Sequence, residues 1–167
     1  MQLDVPGAAV PVTVERAPAH DPRLAELLVA IDLQTFAEGT FTDVSAFLLA
    51  RHGATWWIRA GDRPVAFALV FRDVSDASAA VLLSMGIVPG WRGLGLGPAL
   101  LTALFDGLPP LGFRRLVLHV GARNVRAVKV YEDAGFVRVS EEPDPTDGDT
   151  RLCLVRDLEA VAAEVVF

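Results

Sequence analysis

The spacing of apolar residues changes several times along the first fifty positions of the chain. Valines at alternate positions of 9–16 have the two-residue period of a half-buried strand. Asp21 can then cap a helix, and the leucines that follow it recur every three or four residues, which predicts a helix over about 22–33. A second helical run follows Thr42. The chain therefore begins with a strand and two helices.

Three apolar runs in the middle of the chain have the composition of strands. Residues 56–60 and 64–71 are joined by Gly61-Asp62, a dipeptide that suits a tight turn, so an antiparallel hairpin is predicted. Residues 79–88 are almost continuously apolar. Such a run is typical of a central strand that is covered on both faces.

The second half of the chain alternates helices with strands. The predicted elements are a helix that ends at Pro109-Pro110, a strand over 115–120, a helix between an Asn124 cap and a left-handed Gly135, and a hairpin of 136–140 with 151–157. Together the elements predict an α/β fold (an α+β mixed sheet) in one domain over 1–167. We expect about seven strands and about four helices.

Composition and charge exclude several classes of function. The chain of 167 residues has 15 basic and 21 acidic side chains, and five of the acids lie in 141–149. Because no basic cluster balances them, nucleic acid is not an expected partner. The lone Cys153 and three scattered histidines give neither a disulfide nor a metal-ligand spacing. Monomer and homodimer both remain open.

The apolar stretch 77–105 could be mistaken for a membrane helix, since Arg92 is its only charged residue. Glycines and prolines crowd its middle, where they would leave backbone groups unsatisfied in lipid. We therefore expect no membrane span. No early basic stretch precedes an apolar run with a cleavage site, so a cytoplasmic location is the default expectation.

The segment 86–101 (GIVPGWRGLGLGPALL) carries the clearest chemical information in the chain. A predicted strand runs into glycines at 93, 95 and 97 and then into a helix, an arrangement in which free amides and the helix dipole favour phosphate or pyrophosphate. A dinucleotide fingerprint fails, because its third glycine would be Pro98 and no acid follows at the required distance. A Walker loop fails as well, because the only lysine is Lys129, in another helix.

A third interpretation of this segment rests on two motifs. Arg92-Gly93-Leu94-Gly95-Leu96-Gly97 matches R/Q-x-x-G-x-G, and it resembles the acyl-CoA pyrophosphate loop of the GNAT family of N-acetyltransferases. The later segment 118–136, with Asn124, Tyr131 and Gly135, resembles that family too, and most closely its RimI-like branch, which acetylates protein N-termini. The resemblance implies the GNAT fold, an acyltransferase activity with acetyl-CoA as co-substrate, no metal, and an amine acceptor.

The resemblance also implies which residues contact acetyl-CoA. Amides of 92–97 would hold the pyrophosphate, the backbone of 87–88 would pair with pantetheine, and Asn124 would reach the pantetheine amides. One departure is Pro98, which lacks an N–H and could remove one phosphate contact. The implied contact residues are Ile87, Val88, Arg92, Gly93, Leu94, Gly95, Leu96, Gly97, Asn124 and Ala127.

Acetyl transfer needs a neutral amine and a proton for the departing thiolate. Tyr131, the only tyrosine, falls on the family's general-acid position, although it could instead be simply an inward aromatic residue of its helix. No carboxylate lies in 80–88, so His119, at a position where RimI-like sequences have Glu, is the candidate base. Its side chain could instead point into a layer covered by a helix.

The acceptor is the least defined part of the prediction. A weak base suffices for an α-amine, which is neutral in about one molecule in ten at pH 7, whereas a lysine-like amine is neutral in about one in a thousand. Glu38, Asp43 and the acids of 141–149 could attract a cationic amine, or they could be only solvated loop residues. A non-catalytic acyl-CoA-binding module of the same fold is the alternative function.

Overall fold

The structure is a computed structural model that describes residues 1–18, 21, 23–36 and 51–159. The chain divides into two compact units. The first unit comprises 1–71 and 82–103, and the second comprises 72–81 and 104–167. The predicted helix after Thr42 lies outside the described residues.

The described part of the chain contains eight strands and three α-helices. The strands are β1 (Gln2–Leu3), β2 (Val12–Arg16), β3 (Ala54–Ala60), β4 (Arg63–Arg72), β5 (Ala79–Ile87), β6 (Arg115–Gly121), β7 (Val137–Pro143) and β8 (Thr150–Asp157). The helices are α1 (Leu24–Thr35), α2 (Leu96–Gly107) and α3 (Val125–Asp133). The α/β fold class is confirmed, with one strand more than the expected number.

The first unit contains β1 to β3, nearly all of β4 and residues 82–87 of β5, and these strands follow one another in chain order. The pairs β1–β2, β2–β3 and β3–β4 are antiparallel. Ala60 pairs with Arg63, so the β3–β4 connection is the two-residue turn Gly61–Asp62, and Gly61 has a left-handed φ of 58°. The predicted hairpin is therefore confirmed.

Helix α1 packs on the strands of this unit through a compact apolar cluster. Its members are Ala17, Leu24, Leu28, Ile31, Trp57, Phe67 and Val88. The helix begins at Leu24, because Arg23 occupies the N-cap position and the predicted cap, Asp21, instead accepts a hydrogen bond from the Arg23 backbone N–H at 2.9 Å. Trp56 and Trp57 are both buried, on opposite faces of β3, because adjacent residues of a strand alternate between faces.

The second unit contains the antiparallel strands β6, β8 and β7, in that order. Leu116 and Leu118 of β6 and Leu152 and Leu154 of β8 are buried on one face. Helix α3 starts at the Asn124 cap, and the residue after its C-cap, Gly135, has a φ of 90°. Both predicted ends of this helix are confirmed.

One expectation about a strand is wrong, and one strand was not expected. The run 79–88 was expected to be covered on both faces, but the Leu83 side chain of β5 is 54% exposed and Val81, Ser84 and Met85 are only half-buried. Strand β1 was not predicted, because two residues are too few to show a period. In the described ranges, no helix has the length and apolar character needed to cross a bilayer.

Candidate active site

The glycine segment of the first unit begins directly after β5. Pro89–Trp91 form a single 3-10 turn, and Trp91 is half-buried against the apolar cluster under α1. Helix α2 then starts at Leu96, whose side chain is buried. The residues between Trp91 and Leu96 are thus held at both ends by apolar anchors, while they are themselves exposed.

The backbone N–H groups of Gly93 to Gly97 make no hydrogen bond to any other described residue. Gly93 and Gly95 have φ values of 75° and 78°, and Leu94 between them has a negative φ. Alternation of this kind turns successive N–H groups toward one concavity, a common anion-binding arrangement. A Cβ added at Gly93 or Gly95 would meet nothing within 4 Å. The glycines therefore leave open space beside unpaired donors, which fits a diphosphate group.

The free N–H groups form a cradle that is shorter than the predicted phosphate-binding segment 92–97. The Arg92 N–H, expected to be a phosphate donor, instead donates to the Pro89 carbonyl at 3.3 Å and closes the 3-10 turn. Pro98 has no N–H, and the Ala99 N–H donates to the Gly95 carbonyl at 3.2 Å. The free donors are therefore those of 93–97.

Backbone groups at the end of β5 that were expected to be free already form hydrogen bonds within the protein. The Val88 N–H donates to the Val65 carbonyl at 2.9 Å, and the Val88 carbonyl accepts from the Trp91 N–H at 2.8 Å. The Ile87 carbonyl accepts from Nε of Arg92 at 3.0 Å. The expectation that Val88 offers a free edge to pantetheine is therefore wrong for its N–H. Its carbonyl, like that of Ile87, retains only a second lone pair.

The second unit holds the other predicted residues. The Asn124 side-chain oxygen accepts from the Ala127 N–H at 3.2 Å, so Asn124 caps α3. This bond leaves the Asn124 amide nitrogen as the group that could contact a ligand. The Ala127 N–H is used by the same cap.

Tyr131 lies on the buried face of α3, and its residue is 9% exposed. Its ring meets Phe136 edge-to-face, with centroids 5.7 Å apart. The hydroxyl oxygen forms no hydrogen bond within the described part of the chain, and it is not among the fully enclosed polar atoms that lack a partner. The ring is therefore covered, and the hydroxyl oxygen is not completely enclosed. Burial raises the pKa of Tyr131 to about 12.

His119 is exposed on β6, on the face opposite to the buried Leu118. The alternative that it points into a layer covered by a helix is therefore excluded. Cys153 is its cross-strand partner on β8. A favourable interaction with His119 contributes to a lowered pKa of Asp73, after the larger effect of hydrogen bonds from Ser75.

The acidic segment of the β7–β8 hairpin is largely bonded to its own backbone. Asp144 accepts from the N–H and hydroxyl of Thr146, Asp147 accepts from the Asp149 N–H, and Asp149 accepts from the Arg123 and Thr150 N–H groups. These three carboxylates hold the loop in its conformation, and the role of the 141–149 acids in attracting an amine stays a prediction. Glu38 and Asp43, the other two acceptor candidates, lie outside the described residues.

Two polar residues of α1 were not singled out by the sequence. Asp32 is fully buried, and Thr35 is 8% exposed with its hydroxyl donating to the Ile31 carbonyl at 2.7 Å. Each follows an apolar residue of the buried face, Leu28 or Ile31, by four positions. The helical spacing could therefore have placed both on that face. No group of three potential metal ligands is present among the residues described.

Comparison with known proteins adds a family to this geometry. The model of the Acetyltransferase (GNAT) family matches residues 22–136. Mycothiol acetyltransferases of Beutenbergia cavernae and Renibacterium salmoninarum are 35% and 32% identical over 56% and 72% of the chain. The chain spans about a third of the length of these curated relatives, 34% in each case.

A solved structure gives the same picture at the level of the fold. The ribosomal-protein-S18-alanine N-acetyltransferase from Escherichia coli superposes with a TM-score of 0.76 at 22% sequence identity. The match covers 93% of this chain and 99% of that structure. At such low identity the likeness shows a shared fold, and it does not extend to a shared acceptor.

Proposed function

Because the chain belongs to the Acetyltransferase (GNAT) family, we propose that it transfers the acetyl group of acetyl-CoA to a primary amine. The observation that carries the proposal is the row of unpaired N–H groups at Gly93–Gly97 beside the N-terminus of α2. Donors of this kind, next to a positive helix end, suit the pyrophosphate of CoA. The N–H groups of 93–97, rather than of 92–97, are the proposed phosphate ligands.

The proposed reaction is direct. The amine lone pair attacks the thioester carbonyl carbon, the C–S bond breaks, and the thiolate leaves with the electron pair while the new amide nitrogen loses its extra proton. Tyr131 is the proposed donor to the departing sulfur. Its pKa of about 12 keeps the hydroxyl protonated throughout the neutral range. Because a thiol has a pKa of about 8.5, the phenol stabilises the thiolate mainly by donating a hydrogen bond.

Proton removal from the amine is the proposed role of His119. His119 is exposed, and an imidazole ring nitrogen is a group that can accept a proton. Asn124, through its free amide nitrogen, and the carbonyls of Ile87 and Val88 are the proposed contacts of pantetheine. Roles for Ala127, Glu38 and Asp43 remain part of the proposal carried by the resemblance alone.

The proposed acceptor class is an amine of low pKa. An α-amine is favoured over a lysine side chain, because far more of the former is neutral at pH 7 and needs no strong base. The names of the matched proteins point to two probes, an alanine-terminated peptide and an amine of the mycothiol type. A polyamine and a lysine-rich peptide complete the panel.

A second candidate function is acyl-CoA binding without turnover. It is favoured by the lack of a carboxylate on β5. The two functions predict the same CoA affinity, and only the first predicts thiol release that depends on an amine.

The test is thiol release from acetyl-CoA with each amine, for the parent and for Tyr131→Phe, together with CoA binding by calorimetry. We expect Tyr131→Phe to lower kcat by at least about a hundredfold, typical of losing a positioned acid, with CoA affinity within twofold. The parent should lose no activity to Tyr131 ionisation between pH 7 and 10. Tight CoA binding without any turnover would favour the second function, and equal rates for both proteins would remove Tyr131 from the mechanism.

A further inference from the structure

The side chain of Arg92 lies at a junction that its place in the motif does not reveal. Nε of Arg92 donates to the Ile87 carbonyl at 3.0 Å, and its Nη2 donates to the Thr35 carbonyl at 2.9 Å. One planar guanidinium thereby joins the end of β5, the end of α1 and the start of the glycine segment. All of these residues belong to the first unit.

The Thr35 carbonyl is one of the acceptors that a helix leaves unsatisfied at its C-terminus. That end carries a partial negative charge and favours a cation, yet α1 has no basic residue in its last turn. Arg92 supplies the missing cation from a position 57 residues later in the chain. The same residue is therefore bonded to the C-terminal end of α1 by its side chain while its backbone leads into the cradle.

The spacing between α1 and β5 is fixed at the same place. A Cβ added at Gly86 would lie 2.5 Å from Cγ2 of Thr35 and 2.9 Å from Cε1 of Phe67. Glycine at this position therefore lets the last turn of α1 sit directly on the strand. Any larger side chain would displace Thr35, and with it the carbonyl that Arg92 contacts.

We propose that Arg92 is a positioning residue, whose guanidinium holds the cofactor cradle in place by bridging the Thr35 and Ile87 carbonyls rather than by binding phosphate. This inference rests on the proposed function, because the cradle matters only if it receives CoA. The role requires two donors in a fixed fork. A lysine would keep the charge, but its single ammonium cannot reproduce the planar two-point contact.

The first test is CoA affinity, measured by calorimetry, for Arg92→Lys and Arg92→Ala. We expect both variants to bind CoA about tenfold or more weakly than the parent, and to similar extents. Arg63→Ala is the matched control, since Nη2 of Arg63 bonds the Gln34 side chain on the same turn of α1 at 2.7 Å but has no link to the cradle. Its CoA affinity should stay within twofold of the parent.

A second test uses Gly86→Ala in a double-mutant cycle. In the parent, Gly86→Ala should weaken CoA binding. In Arg92→Lys the same substitution should cause little further loss of CoA affinity, because the bridge is already lost. Thr35→Ser keeps the hydroxyl but removes Cγ2, so it should restore part of the affinity of Gly86→Ala. Circular dichroism and thermal unfolding confirm that each variant is folded before its affinity is compared.

The outcomes separate this inference from the proposed function. A parent that does not bind CoA would contradict the proposed function itself. A parent that binds CoA, with Arg92→Lys equal to it and Arg92→Ala weak, would mean that Arg92 acts through its charge on the phosphates and would overturn the bridge. The bridge would also be overturned if Gly86→Ala and Arg92→Lys weakened CoA binding independently, so that the fold-changes of the two single variants multiply in the double variant.

Discussion

The cradle Gly93–Gly97 in the first unit and the hairpin loop Asp144–Asp149 in the second differ in whether their backbone N–H groups are hydrogen-bonded. Both use glycine in a left-handed conformation, with φ values of 75° and 78° at Gly93 and Gly95 and 72° at Gly148. In the cradle, five successive N–H groups have no partner within the described part of the chain. In the hairpin, aspartate side chains accept from the loop's own N–H groups.

The difference shows that a loop can either leave its N–H groups available to an anion or bond them to its own side chains. Unpaired N–H groups at the surface are bonded by water, and an anion can replace that water at little cost because the donors are already aligned. A loop whose carboxylates already bind its own amides has no such capacity. High local charge in 141–149 is therefore weaker evidence for binding than the uncharged glycines of 93–97.

The largest effects are expected at the two left-handed glycines Gly95 and Gly148. Alanine at either position meets no neighbour within 4 Å but must adopt a positive φ, which costs about 1–2 kcal/mol. We expect both Gly95→Ala and Gly148→Ala to lower the melting temperature by a few degrees. Only Gly95→Ala should also weaken CoA binding, by more than about tenfold, because the N–H groups around Gly95 are the proposed phosphate ligands.

Gly90→Ala serves as a control in the same part of the first unit, since Gly90 has open space and no positive φ. It should leave both melting temperature and CoA affinity near the parent values. Differential scanning fluorimetry and calorimetry measure the two quantities. Equal CoA affinity in Gly95→Ala and Gly148→Ala would remove the functional contrast between the loops.

Much of this contrast could be predicted from the sequence, and some of it could not. The glycine spacing at 93, 95 and 97 is local, so it predicted a turn with free amides before α2. The Asn124 cap and the Gly135 end of α3 are local in the same sense, and both are confirmed. The occupied Arg92 N–H was missed because the 3-10 turn at Pro89–Trp91 has no periodic pattern.

The contacts that escaped prediction join distant parts of the chain. The bridge from Arg92 to Thr35 spans 57 positions, and the bond from Asp149 to the Arg123 N–H spans 26. Such contacts depend on how helices and strands pack, which spacing within one element does not encode. Charge alone was misleading for the same reason, since the sequence did not show that Asp149 is 12% exposed in its side chain and bonded.

A smaller effect is predicted for the anchor of the acidic loop. Asp149→Ala removes the acceptor of the Arg123 N–H at 3.1 Å and of the Thr150 N–H at 2.7 Å. We expect the free energy of unfolding to fall by about 1–2 kcal/mol, with CoA affinity within twofold of the parent. Asp147→Ala, which loses only one bond to the Asp149 N–H, should lose less. Urea unfolding measures both free energies. Weakened CoA binding in Asp149→Ala would show that this loop also contributes to CoA binding.

The smallest effect is the pH dependence of Asp144. Hydrogen bonds from the Thr146 hydroxyl and N–H lower the pKa of this carboxyl below its ordinary value. Its ionised form therefore stabilises the folded chain above the unfolded-state pKa of about 3.9, and that contribution is lost as the pH falls through the lower folded-state pKa. Urea midpoints of the parent and Asp144→Asn, measured from pH 7 to pH 2.5, should differ slightly at neutral pH and converge in acid. A gap that stays constant over this range would show that the charge of Asp144 contributes nothing to its loop.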